Sequence, residues 1–107
     1  MYAVVRHYYF DAKNSEVIDK MLRDEFVPLI KKIRGFMRYY WIDTGKGEGV
    51  SVSVFENKVG ADESVRLAAD FTSAAMASIR ITAKPEIIEG PVLAHDLIAD
   101  SNEKHFP

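Results

Sequence analysis

Cysteine is absent from the 107 residues. No disulfide framework, thiolate nucleophile or thiolate metal site can be built, and the usage suits a reducing compartment. A basic excess is also missing: 14 Lys and Arg stand against 16 Asp and Glu, a formal net charge of −2. This leaves no footprint for nucleic acid and no polybasic patch for anionic lipid. No apolar run approaches the roughly 18 residues of a membrane span, and residues 1–7 lack the basic-then-apolar layout of a signal peptide. The expectation is a soluble, cytoplasmic protein with neither nucleic-acid nor membrane partners. Several chemical motifs are missing as well. His7, His95 and His105 have no ligand spacing, so no metal site is expected. No Gly-x-Gly-x-x-Gly or Walker-type loop occurs, and no serine sits in a Gly-x-Ser-x-Gly elbow. Asp24-Glu25 and Asp62-Glu63 are adjacent on expected helices and point in different directions, which suits solvated faces.

What is present is an ordinary globular composition, 48% apolar and 28% charged, on a chain long enough for one core. Residues 1–100 read as one domain and 101–107 as a polar tail. Residues 2–10 are β-branched and aromatic and predict a strand, which ends at the turn cluster Asp11-Ala12-Lys13-Asn14. Ile18, Leu22, Phe26, Leu29 and Ile33 then recur on one helical face, with Asn14 or Ser15 to cap the start and Gly35 to end the helix. Pro28 lacks the amide that would bond Asp24, which predicts a kink or a loosened turn. Residues 36–43 return to strand chemistry, the glycine-rich run 44–49 reads as a hairpin loop, and 50–55 alternate as a strand. A second helix is expected over about 60–79, with Ala61, Val65, Ala68, Thr72, Ala75 and Ile79 inward. After a break at Ala83-Lys84-Pro85, a last strand at 86–95 is interrupted at Gly90-Pro91.

The order β-α-β-β-α-β is that of an α+β, ferredoxin-like fold: a four-stranded antiparallel sheet, spatial order 4-1-3-2, with two helices on one face. A sheet covered on one side should be polar on the other, yet both sides here are largely apolar. Tyr2, Val4, Tyr8 and Phe10 oppose Ala3, Val5 and Tyr9, and Phe36, Tyr40 and Ile42 oppose Met37, Tyr39 and Trp41. The simplest cover for the second face is another copy packed sheet to sheet, so a homodimer is expected, with any pocket dependent on its closure.

All five tyrosines and the single tryptophan lie on the first two strands. In the 4-1-3-2 order these strands flank the third, which carries the small Ser51 and Ser53. With strands about 4.8 Å apart, aromatic walls would stand roughly 10 Å apart over a serine floor, wide enough for a flat ring. The alternative is that the aromatics simply pack the sheet or a dimer interface. Arg6 and His7 sit mid-strand; His exchanges a proton near neutral pH and Arg holds anionic oxygens, so they are the candidate catalytic pair, and either can equally be a structural residue satisfied by its neighbours.

Several segments resemble a known family: Met1-Tyr2-Ala3-Val4-Val5-Arg6, Glu25-Phe26-Val27-Pro28-Leu29, Gly35-Phe36-x-x-Tyr39-Tyr40-x-x-Asp43, Val50-Ser51-Val52-Ser53-Val54-Phe55-Glu56 and Glu63-Ser64-x-x-Leu67-Ala68-Ala69. Over residues 1–95 they are similar to the antibiotic biosynthesis monooxygenase (ABM)-like dimeric α+β barrel proteins, and especially to a stand-alone bacterial subgroup without an assigned activity. The resemblance implies that two subunits face their sheets into a barrel. It covers cofactor-free oxygenases of aromatic polyketides, haem-degrading enzymes, and members with no demonstrated chemistry. The haem-degrading branch uses an Asn on the first strand with a Trp and a His associated with the second helix. Here Arg6 or His7 occupies that strand position and residues 60–80 hold neither Trp nor His, which argues against haem degradation. The oxygenase branch uses Tyr, Trp, Asn and Arg to stabilise an enolate-like anion; Arg6, His7, Tyr9, Arg38, Tyr39, Tyr40 and Trp41 supply similar types. The resemblance implies a small aromatic ligand and a cofactor-independent monooxygenase; the residue reading above joined to it gives the expectation of His7 as base, Arg6 or a Tyr at the oxyanion, and Tyr9, Arg38, Tyr39, Tyr40, Trp41, Ser51 and Ser53 around the substrate. The other function class is a non-catalytic dimeric module that binds a metabolite or a protein.

Overall fold

The β-branched and aromatic alternation of the N-terminal residues forms a strand, β1 (Tyr2–Tyr9), at the heart of a four-stranded antiparallel sheet. The structure, a computed structural model, describes residues 1–79, 81 and 84–97, with the backbone alone for 76–79. The expected tail at 101–107, the Ala83 part of the expected break and the inward side chain of Ile79 lie outside the described residues.

The expected first helix is broken into pieces. A 3₁₀ turn (Ala12–Asn14), started by the Asp11 side chain accepting from the Lys13 amide, leads into α1 (Ser15–Met21). A π-helical turn (Leu22–Phe26) and a short α2 (Val27–Ile30) follow. Pro28 has no amide for the Asp24 carbonyl, and the chain widens just ahead of it, where the Val27 amide reaches back five residues to the Leu22 carbonyl. The loosened turn expected from Pro28 is therefore present, upstream of the ring. Gly35 adopts φ +88, and its carbonyl receives the Glu56 amide at 2.8 Å, closing the turn into β2 (Phe36–Asp43).

β3 (Glu48–Phe55) begins two residues earlier than its valine alternation indicates. The long helix α3 (Lys58–Ile79) then returns across the sheet, and β4 (Glu86–Pro91) ends at the proline. The spatial order β2-β3-β1-β4 is the one expected for this connectivity. No described helix is long and apolar enough to cross a membrane.

Strand parity sets the faces. Val4 and Arg6 of β1, Phe10 just beyond it, and Ser51, Ser53 and Phe55 of β3 are buried beneath the helices. On β2 the register shifts between Phe36 and Arg38, a bulge that turns Phe36, Tyr39 and Trp41 to the same covered side. This corrects the simple alternation, which would put Phe36 with Tyr40 and Ile42. Ala61, Ser64, Ala68 and Ala75 form the buried stripe of α3, small enough for the helix to lie close on the sheet. The opposite sheet face carries Val50, Val52, Val54, Val5, Tyr40, Ile42 and Ile88, the last 73% exposed. That face is apolar, as the two-sided strands require.

Candidate functional site

Between the sheet and the helices lies a cavity of about 40 Å³. Its sheet side is formed by Arg6 and Tyr8 of β1, Tyr39 and Trp41 of β2 and Ser51 of β3, and the helices contribute Phe26, Phe71 and Thr72. The serine-floored arrangement of aromatics thus exists on the helix-covered face. Residues of one chain line it, between the sheet and the helices. The physical reason is that α3 presents small residues above the sheet while Phe26 and Phe71, with ring centroids 5.1 Å apart, form a roof over Tyr39.

Arg6 is the polar centre of this apolar cavity. The residue is 2% exposed. Its Nη2 donates to Ser64 Oγ at 3.3 Å, and that hydroxyl in turn donates to the Ala61 carbonyl at 2.7 Å. Nε and Nη1 are buried without a hydrogen-bond partner among the described residues. Burial pulls the guanidinium below its ordinary range, while Tyr8, Tyr39 and the more distant Glu89 work the other way. Arginine remains a cation at neutral pH even so. A buried cation with two unspent donors costs stability unless an acceptor meets it.

Two phenols lie beside it, with the Thr72 side chain acting on Tyr8 and that of Ser51 on Tyr39. Burial pushes both above the ordinary tyrosine range, Tyr39 furthest because Tyr8 lies next to it; Arg6 and the hydroxyl partners oppose the shift. Both therefore stay neutral at physiological pH and can donate a hydrogen bond.

Trp41 closes the end of the cavity near Phe10 and Ile18. Its indole lies over Gly49, where an added Cβ would collide with Trp41 Cη2 and Cζ2, so a side chain there would force the ring to shift. Nε1 donates to Asp19 Oδ1 of α1 at 2.8 Å. The Asp19 and Asp43 carboxyls lie near enough to act on each other's titration. Asp19 is raised, first by burial and then by Asp43, against the Trp41 bond. Burial also works to raise Asp43, but the Gly45 amide, the Asp19 carboxyl and the Ser15 hydroxyl outweigh it and hold it low.

The remaining candidates point away. His7, Tyr9, Arg38 and Tyr40 lie on the open sheet face, because neighbours in a strand alternate sides. His7 Nε2 is 3.1 Å from Glu48 Oε2 and its Nδ1 is 3.4 Å from Glu86 Oε1. The Tyr9 hydroxyl donates to Glu86 and Arg38 donates to the Tyr40 hydroxyl. Arg6 and His7, paired as one catalytic unit by their adjacency, are thus separated by the sheet. Ser53 is fully buried on the covered side but does not line the cavity. Tyr8, Ser64 and Asp19 were not singled out as site residues by the sequence. Tyr8 shares strand parity with Arg6, and Ser64 falls three residues after Ala61 and four before Ala68, so a helix-face signal existed for both; Asp19 had none. Among the described residues no group of three His, Asp or Glu side chains could hold a metal ion.

The fold can be set beside solved structures. NE2512 of Nitrosomonas europaea, a protein of unknown function, superposes with a TM-score of 0.75 at 18% identity, covering 92% of this chain and 95% of that one. The Streptomyces coelicolor monooxygenase from the gene ActVA-Orf6, in complex with nanaomycin D, gives 0.73 at 12% identity, covering 92% of each chain. This chain has the fold of the antibiotic biosynthesis monooxygenase-like proteins. A dimeric ferredoxin-like protein from an uncultured marine organism also matches, at a TM-score of 0.64 and 10% identity, covering 91% of this chain and 97% of that one. No protein-family model and no curated protein matches the sequence.

Proposed function

We propose that the cavity binds a small flat aromatic molecule bearing an acidic oxygen, a phenol or an enol, and that Arg6 holds that oxygen as the anion. The observation that carries this reading is the buried guanidinium with Nε and Nη1 unspent beside two neutral phenols. An apolar aromatic-lined site suits a flat ring, and a preorganised cation in low dielectric favours the ionised form.

The chemistry is cofactor-independent monooxygenation. The bound anion gives one electron to dioxygen, the resulting pair recombines as a carbon-bound peroxide, and loss of water leaves a new carbonyl. For an anthrone, one dioxygen is consumed and one quinone and one water are formed. Tyr8 or Tyr39 can donate a hydrogen bond to the developing oxygen anion. His7 faces the other side of the sheet, so the proton leaves to solvent or buffer as Arg6 stabilises the anion. Likeness in fold to the ActVA-Orf6 monooxygenase supports the class of reaction.

A second reading follows from the cavity lining, which includes neither a carboxylate nor a histidine among the described residues. A site with an anion holder and no base suits a module that binds a metabolite without turning it over. Oxygen uptake with an anthrone substrate separates the two. Arg6-dependent uptake supports the oxygenase; Arg6-dependent binding with no uptake supports the binding module; binding indifferent to Arg6→Met defeats both.

We also infer a homodimer that covers the open face. Its valines, Tyr40, Ile42 and Ile88 form an apolar surface of the kind monomers avoid, and the marine ferredoxin-like neighbour is dimeric.

A further inference from the structure

Among the described residues, the lining of the cavity carries one formal charge and nothing to balance it. That charge is Arg6, 2% exposed. No carboxylate lines the space, and among the described residues none lies within ion-pair distance of the guanidinium. Glu89 acts on it only from farther off, as an exposed residue of β4. Ser64 accepts from Nη2 at 3.3 Å, while Nε and Nη1 meet no acceptor among the described residues. A hydroxyl is a dipole and leaves the charge itself uncompensated, and a buried ion without a counter-charge is among the costliest groups a core can hold.

The space and its walls decide what could supply that counter-charge. A water needs roughly 10–15 Å³ of such volume. The 40 Å³ here therefore has room for about three waters or one small ion. Water would bring acceptors but no charge. A polyatomic oxyanion presents several acceptors that each need a donor, whereas the walls beyond Tyr8, Tyr39, Ser51 and Thr72 are mainly hydrocarbon and Trp41 directs its N–H to Asp19. A monatomic anion has no such geometric demand, and a single charge matches a single guanidinium. Chloride and bromide also give up hydration water more readily than fluoride or a carboxylate, which suits apolar walls.

We propose that the cavity is a halide site: one chloride ion lies against the Arg6 guanidinium, stabilises the folded chain and competes with a phenolate for the same charge. The halide stands where the phenolate oxygen of the proposed function would stand. The inference thus rests on Arg6 as the anion holder, and not on what carries the oxygen.

The test uses the full-length protein and urea, a denaturant that adds no anion, at one protein concentration. Chloride is raised from 1 to 100 mM at constant ionic strength, with gluconate, too large for the cavity, making up the difference. The folded-to-unfolded ratio of the wild type rises at least about fivefold, the mass-action response of one site half-filled at about 20 mM or below. In Arg6→Met it changes less than about 1.5-fold, because the site is gone. A flat response in the wild type, or an equal response in both proteins, overturns the site. Crystals soaked in bromide locate the ion by its anomalous scattering and keep the test decisive if Arg6→Met does not fold. A peak in the cavity beside Arg6 supports the proposal; peaks confined to the surface mean an adventitious ion only and overturn it. Failure of the phenolate reading looks different: stability then depends on chloride while phenol affinity is indifferent both to chloride and to Arg6→Met.

Discussion

Arg6 and Ser64 meet across the sheet–helix boundary although 58 residues separate them in sequence: Nη2 donates to Oγ at 3.3 Å, and both residues are buried. The hydroxyl accepts from one guanidinium nitrogen and donates its own hydrogen bond to the Ala61 carbonyl. This small pairing leaves Nε and Nη1 without a partner among the described residues, in a residue that lines the cavity.

Arg6→Met should therefore leave the fold as stable as the wild type or up to about 4 kcal/mol more stable, because a similar apolar volume replaces a poorly compensated buried charge. Phenolate binding should fall at least about tenfold, the loss of one hydrogen bond to a charged group. His7→Ala, on the opposite face, should leave binding in the cavity unchanged. Urea unfolding and a fluorescence binding titration check the three outcomes.

Ser64→Ala should act in the opposite sense on stability. It deprives the guanidinium of its Ser64 side-chain partner and should cost about 1–3 kcal/mol. The double variant Arg6→Met, Ser64→Ala should recover most of that loss, because the charge needing a partner is gone. A double-mutant cycle from denaturant midpoints measures the coupling; additivity within about 0.5 kcal/mol would remove it.

Gly49→Ala drives a methyl group into the indole, so Trp41 or the β2–β3 pairing must shift. The expected loss is about 1–3 kcal/mol, with a changed tryptophan emission spectrum. An unaltered spectrum would mean that the ring does not rest there.

Alkaline pH should destabilise the fold through Tyr8 and Tyr39. Burial raises both above the value they have in the unfolded chain, so the unfolded state releases these protons first. Their contribution is complete below about pH 10, where unfolded tyrosine ionises, and is lost as pH rises from there through the higher folded values. The urea midpoint should fall above that pH, and Tyr39→Phe should flatten the fall.

Ile88→Glu together with Tyr40→Glu should convert a dimer into a species of the 12.1 kDa chain mass in sedimentation experiments. A wild type that already sediments at that mass would leave the open face without its second copy.

Much of this was legible in local patterns. The valine and serine alternation of residues 50–55 fixes which side of β3 is which once one side is covered, and the α3 stripe through Ala61, Ala68 and Ala75 follows from the helical period. Pro28 announced its wide turn because the missing amide is a property of the residue itself. The cavity was legible in kind, aromatics over serine, but its place under the helices was not, because strand register decides which face each aromatic joins. Arg6 and His7 are neighbours in sequence, and adjacency in a strand means opposition in space; the alternation required that one face inward but did not say which.

By itself the sequence determined the order of elements, the apolar character of both sheet faces and the residue types available for chemistry, because each depends on near neighbours along the chain. Tertiary structure alone decided that Arg6 rather than His7 lies under the helices, that a bulge turns Phe36 to the side of Tyr39 and Trp41, and that Asp19 meets the indole. Those outcomes depend on register between strands and on contacts between segments far apart in sequence, where one shifted residue exchanges the buried and open sides.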